Sequence, residues 1–211
     1  MERSRRQRLR PGFTVIEMIV VVAVIGIMAT IGIPNLIRVI HRAKIEGIAR
    51  ETSVLMQRAR SESVRQNVPT VVRVDLARSE IVAFADVDGP ALGDPPDSIF
   101  NPVAGEPHRT TDYELGRYTL PNNVLFQAPA ADPDPVPVKG FTVAGPDQVA
   151  IFDPNGSIRD TGAIRYADQR GNFLEVRVTP AATARVQLRK WDPDLIDWQT
   201  RNQDDKPWVW L

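Results

Sequence analysis

The chain has 211 residues, enough for one domain with an anchor segment, and 26 basic residues balance 26 acidic ones. The arginines are unevenly placed. Residues 1–12 hold five Arg and one Glu, so the remainder carries 21 basic against 25 acidic residues. That mildly acidic body argues against nucleic-acid binding through a bulk positive field. There are no cysteines, which excludes disulfides, thiolate metal sites and cysteine nucleophiles.

The first element is apolar. Phe13–Ile33 has one ionisable side chain, Glu17. A helix of that length spans roughly 30 Å, the thickness of a bilayer's hydrocarbon core. Arg3, Arg5, Arg6, Arg8 and Arg10 precede it and Pro34 follows. A basic stretch before an apolar run has the form of a secretory signal, but the run exceeds the usual 7–15 residues and no A-x-A site follows. A signal anchor with its arginines held inside explains the length and the cations. It does not explain Glu17, since an acid inside a span costs about 2.5–3.5 kcal/mol and needs a partner.

From Asn35 to about Gln66, Leu36, Ile37, Ile40, Ile48, Thr52, Leu55, Met56 and Ala59 recur mostly at three- and four-residue intervals, predicting an amphipathic helix. Pro34 is expected to kink its junction with the span. His41 reads as a surface residue, and Glu62 and Arg65 as a local i, i+3 pair. Asn67-Val68-Pro69 ends the helix.

Strands follow. Thr70–Leu76 alternates, with Val72, Val74 and Leu76 on one side and Arg73 and Asp75 on the other. Across the turn Ala77–Ser79, Glu80–Ala85 completes a hairpin. Residues 86–137 then hold ten of the eighteen prolines and predict mostly irregular chain, with short strands at Tyr118–Leu120 and Val124–Gln127. Further strands are expected at Gln148–Asp153, Ala163–Ala167, Phe173–Thr179 and Thr183–Lys190. Leu174, Val176 and Val178 should face opposite to Glu175, Arg177 and Thr179. Asp132, Asp134 and Asp153, each beside proline, read as turn formers. Trp191, Trp198, Trp208 and Trp210 cluster at the end, either packing back on the sheet or presenting anchors to a partner.

Catalytic signatures are missing. His41 and His108 cannot make a metal cluster, and there is no G-x-S-x-G, H-E-x-x-H or P-loop. Asp86-Val87-Asp88-Gly89 resembles the start of a calcium loop but lacks its twelfth-position glutamate. No cofactor is expected, and the chain does not read as an enzyme.

Residues 12–34, GFTVIEMIVVVAVIGIMATIGIP, resemble the type IV prepilin N-terminus shared by type IV pilins and type II secretion pseudopilins. The resemblance implies cleavage by the prepilin peptidase between Gly12 and Phe13, N-methylation of Phe13, and an assembly role for Glu17. Cleavage creates an amine with an ordinary pKa near 7.7–8.0. In a packed filament that amine can sit beside a neighbour's Glu17, so neither charge stands alone in a low-dielectric setting.

Residues 59–69, ARSESVRQNVP, and 149–156, VAIFDPNG, are similar to the GspH/FimT branch, with Ser63 where Ala is usual and no glycine near Pro180–Ala182. That branch implies an α+β, type IV pilin-like fold: a long N-terminal helix, transmembrane then amphipathic, packed on an antiparallel β-rich head. The expected organisation is a leader at 1–12, a transmembrane helix at 13–33 and a stalk helix at 34–67. A periplasmic head at 68–211 follows, with its Pro-rich insertion at 86–137 and Trp-containing tail at 191–211.

The implied function is that of a minor pseudopilin of the H type in a type II secretion system, single-pass in the inner membrane. The alternative is a FimT-like minor pilin that primes a type IV pilus or catches DNA. A third is a membrane-anchored binding protein that is never processed. The implied partners are the prepilin peptidase, other pseudopilins or pilins in a hetero-oligomeric filament, the inner-membrane assembly platform and membrane lipid. DNA is disfavoured, because Asp192, Asp194, Asp197, Asp204 and Asp205 interleave with Arg185, Arg189, Lys190, Arg201 and Lys206.

Overall fold

A computed structural model describes residues 13–87, 100, 111–144, 147–200, 208 and 210. The leader 1–12, residues 88–99 and 101–110 of the Pro-rich insertion, with His108 and the calcium-like loop beyond Val87, and the tail charges at 201–206 lie outside the described residues. The chain divides into two compact units, Met1–Ile40 and His41–Leu211. One helix, α1 (Val15–Gln66), begins in the first unit and ends in the second, and its helical assignment continues through Pro34.

In the first unit every described residue except Ala29 is exposed. The expected inward row is therefore corrected at its start: Leu36, Ile37 and Ile40 are exposed, and the packed face begins at Ile45. Ile45, Ile48, Ala49, Thr52, Met56, Ala59 and Ser63 fall on one stripe of α1 by their three- and four-residue spacing, and all are buried. Asn67 adopts φ 57°, a left-handed conformation that asparagine tolerates, and terminates α1.

In the second unit the stripe packs on two antiparallel sheets. The first holds β1 (Thr70–Asp75), β2 (Glu80–Ala85), β3 (Tyr113–Thr119), β6 (Thr142–Ala144) and β7 (Asp147–Phe152), in the order β3-β2-β1-β7-β6. The second runs β11-β10-β9-β8-β4, where β4 is Val124–Phe126, β8 Gly162–Asp168, β9 Phe173–Val178, β10 Val186–Asp192 and β11 Asp197–Thr200. β5 (Val138–Lys139) also pairs with β8.

The main core joins Ile45, Ile48, Met56 and Ala59 to Val72, Val74, Ile81 and Phe152 of one sheet and to Ile164, Tyr166, Leu174 and Val176 of the other. Side-chain bonds fix the contact. The Thr52 and Tyr166 hydroxyls are 2.7 Å apart in the buried interior, and the Thr70 hydroxyl donates to the Ala59 carbonyl at 2.8 Å. Gly116 leaves room for Leu55, whose Cδ1 would lie 3.0 Å from a Cβ there.

The expected β1–β2 hairpin forms, with Thr70 opposite Ala85 through Asp75 opposite Glu80. Its alternation is richer than expected, because both faces are covered. Val71, Val82, Phe84, Val149 and Ile151 form a second buried cluster on the opposite face, where Phe84 meets Phe100 at 5.3 Å. Leu76 does not join the core row. β1 ends at Asp75, whose carboxylate accepts the Arg78 amide at 2.8 Å to shape the turn.

Several expected bounds shift. Tyr118 and Thr119 end the longer β3, which stops before Leu120, while Val124–Phe126 matches expectation closely. The last expected strand starts at Val186 instead of Thr183, because residues 181–184 turn: the Ala184 amide donates to the Pro180 carbonyl and Thr179 to Arg185. Ala184, at φ 43°, occupies the left-handed position that a glycine would fill freely. Trp191 and Trp198 lie in β10 and β11 as a cross-strand pair, with ring centroids 5.4 Å apart. The tail therefore begins as regular sheet.

Candidate functional site

The chemistry-bearing feature is the start of α1. Thr14 precedes the first helical residue, and its Oγ1 accepts the Glu17 amide at 3.3 Å. Its carbonyl accepts the Met18 amide at 3.3 Å. Thr14 is thus the N-cap and Glu17 the third helical residue, the T-x-x-E spacing of a capping box. Helix N-termini leave amides unpaired and carry partial positive charge, so a carboxylate in the first turn is favoured there. Glu17 accordingly suits this position through local helix physics alone. Thr14 and Glu17 carry a capping signature that the sequence reading missed, although it was visible in the spacing.

Phe13 sits just outside the helix and is 81% exposed. Gly12 lies outside the described residues. Beyond Glu17 the exposed row continues through Ile19, Val22, Ile25, Met28 and Ile31. α1 is long and apolar enough there to cross a membrane, and none of its most apolar window is buried. So much apolar surface is far beyond what soluble monomers leave open, and it marks a membrane or protein contact.

The second unit carries two polar centres. Glu62 accepts Arg65 Nη2 at 2.6 Å, the Tyr113 hydroxyl at 2.6 Å and Gln66 Nε2 at 3.1 Å. The Arg65 hydrogen bond, helped by the Tyr113 and Gln66 donors, lowers the Glu62 carboxyl to about 2 against the cost of its burial. Burial and the Glu62 hydrogen bond push the Tyr113 phenol up to about 12. The expected local pair is therefore also a bond from α1 to β3. Ser63 has a similar reason to be there: its hydroxyl lies 3.1 Å from the Asp153 carbonyl while Arg60 Nε donates to Gly156 at 2.9 Å. The end of α1 is tied to the Asp153–Gly156 turn.

On the far face of the second sheet lies a buried ionic network. Strand register puts Arg165 opposite Glu175. The Arg165 side chain is 3% exposed and Glu175 0%, with Nε–Oε2 at 3.0 Å. Arg165 Nη2 reaches Asp132 at 3.2 Å, and Nη1 donates to the carbonyls of Asp134 and Val136. Arg189 adds a second cation to Glu175 at 3.3 Å. Trp198 Nε1 donates to Asp132 at 2.6 Å, and the Arg165 guanidinium lies over the Trp198 ring at 5.3 Å. Arg177 lies 3.9 Å from Glu175 as a third cation, so three arginines surround that carboxylate while Arg165 also serves Asp132. Asp132 is thus more than a turn former, though it also accepts the Asp134 amide as a turn residue does. Sequence alternation placed Glu175 on this face, but the loop and hairpin that bury it could not be read from it.

His41 Nδ1 lies 3.4 Å from Asn123. Among the described residues no group of three or more His, Asp or Glu side chains is arranged to hold a metal.

Residues 8–33 match the prokaryotic N-terminal methylation motif. No curated protein and no solved structure matches the chain significantly. The motif implies processing by a prepilin peptidase and assembly with other pilins, and it points to a structural role and to membrane anchoring. With one long N-terminal helix and an antiparallel β head, the chain is a type IV pilin- or pseudopilin-like protein.

Proposed function

We propose that the chain is a minor pseudopilin of the GspH/FimT type, serving a type II secretion system. Its helix would be single-pass in the inner membrane and its head periplasmic. Prepilin peptidase hydrolyses the Gly12–Phe13 bond, leaving a carboxylate on Gly12 and an amine on Phe13, which is then methylated. The carrying observation is the join of an exposed Phe13 to a capped helix with Glu17 in its first turn and an unburied apolar surface behind it.

In a filament, the Phe13 amine of one subunit pairs with Glu17 of the next. The pair supplies register: an unpartnered carboxylate in an apolar span costs several times RT, so misaligned neighbours are disfavoured. The GspH/FimT reading rests on residues 59–69 and 149–156. Their side chains tie α1 to a head turn through Ser63 and Arg60.

Mass spectrometry of the membrane form tests processing. The expected species begins at Phe13 with one added methyl, and an intact Met1 overturns the filament reading. Glu17→Ala should be cleaved normally yet fail to join filaments, and normal incorporation would refute the pairing. Deleting the gene should strand secreted proteins in the periplasm. Loss of pili or of DNA uptake with secretion intact would instead assign the chain to a type IV pilus.

A further inference from the structure

The end of the chain meets an unusual pair of cations. β10 alternates so that Val186, Leu188 and Lys190 form one row, and Val186 and Leu188 pack on the main core beneath α1. Lys190 continues that apolar row as a buried ammonium, 6% exposed, with no ion pair among the described residues. Its ammonium donates to the neighbouring Trp191 carbonyl at 3.3 Å. Burial pulls its pKa below the ordinary lysine value. What lies against it is Trp210, whose ring centroid is 5.3 Å from Lys190 Nζ and 4.8 Å from the guanidinium of Arg42 on α1. Trp208 sits edge-on to Trp210 at 6.3 Å, and both rings pack on the main core.

We propose that the surface where Arg42 of α1 and Lys190 of β10 meet is a docking site for the chain's own terminal aromatic segment. Trp208 and Trp210 act there as a clasp that holds the Arg42 turn of the helix to β10. The negative face of an indole attracts cations more strongly than phenylalanine does, and leucine offers none of that attraction. One ring serving both cations ties α1 to β10, while Arg42 also pairs with Glu46 at 3.1 Å. The two indole N–H groups are shielded from solvent and have no acceptor among the described residues, so rings rather than hydrogen bonds carry the contact.

The test uses the full-length protein in detergent. Trp210→Leu should lower Tm by about 5 °C and raise protease sensitivity near Arg42, with Trp210→Phe intermediate. A chain ending at Thr200 should behave like Trp210→Leu or worse, and a synthetic peptide of residues 201–211 added in trans should restore its Tm. If Trp210→Leu and Trp210→Phe both match the parent, the cation–ring contact is refuted even should the shortened chain fail to fold. Failure of the peptide to restore a folded shortened chain refutes an autonomous docking site. Concentration-dependent dimers formed by the parent but not by the shortened chain would show exchange between copies and overturn the clasp within one chain.

Discussion

The first unit and the head treat the same side-chain chemistry in opposite ways. Between Phe13 and Ile40 apolar residues face outward, with only Ala29 even partly covered. In the head, charged residues are buried: Glu175 is fully enclosed, and Arg165 and Asp132 nearly so. The head obeys the rule for water, where burial is driven by apolar area and any buried ion must be paired. The N-terminal helix satisfies its own backbone within the helix and needs no internal core, as a segment suited to lipid or to neighbouring helices should. The two regions should therefore respond to different perturbations, and mutations can separate them.

The sharpest separation comes from Arg165→Met. It leaves Glu175 and Asp132 as under-compensated buried carboxylates, and breaking such a network costs about 3–5 kcal/mol. Thermal unfolding of the head should fall by about 10 °C or more, while the membrane-bound fraction of chain that escapes degradation stays unchanged. Val24→Arg is the mirror experiment. A cation near the centre of the span costs about 2.5–3.5 kcal/mol of insertion, so membrane recovery should fall while the head's Tm holds. If either variant moved both readouts equally, the contrast would fail.

Glu62 gives a smaller, pH-dependent effect. Its carboxyl is lowered to about 2 in the folded chain from an ordinary 4.5, so its stabilisation is fully present above pH 4.5. It is lost as pH falls from 4.5 toward 2, where the folded form also protonates. Arg65 is 69% exposed, and solvent screening brings the expected cost of Glu62→Gln to about 1–2 kcal/mol at neutral pH. The Tm difference between parent and variant should shrink in that acid window. A difference that stayed constant down to pH 2.5 would mean that packing, not charge, sets the effect. Smallest is Thr14→Ala. Loss of an N-cap costs about 1 kcal/mol, which should appear as faster amide exchange at Glu17 and Met18 in detergent with no change in the head.

The start of α1 was the most legible part of the molecule. Its length, apolarity, flanking arginines and the single Glu17 are local properties, and a helix in lipid depends on little else. The helix end at Asn67 and the β1–β2 hairpin were legible for similar reasons: a left-handed Asn and a short turn act over a few residues. The limits of β3 and β10 were harder to read. Proline density around β3 and the glycine-free turn at 181–184 masked where pairing begins, and pairing with distant strands decided it.

What the sequence by itself determined is the long apolar run, the helix period and the alternating rows of the strands, since each follows from spacing along one element. What only the tertiary structure decided is the fate of the polar residues. Asp132 and Arg165 lie in the chain 33 positions apart, and nothing local distinguishes the aspartate from Asp134 beside it. Folding brings a proline-rich loop and a tryptophan hairpin over one sheet face, and only there do these charges become a single compensated network. The same holds for Arg42, Lys190 and Trp210. Desolvation acts on groups that meet in space, and that meeting is a property of the fold rather than of any one stretch of chain.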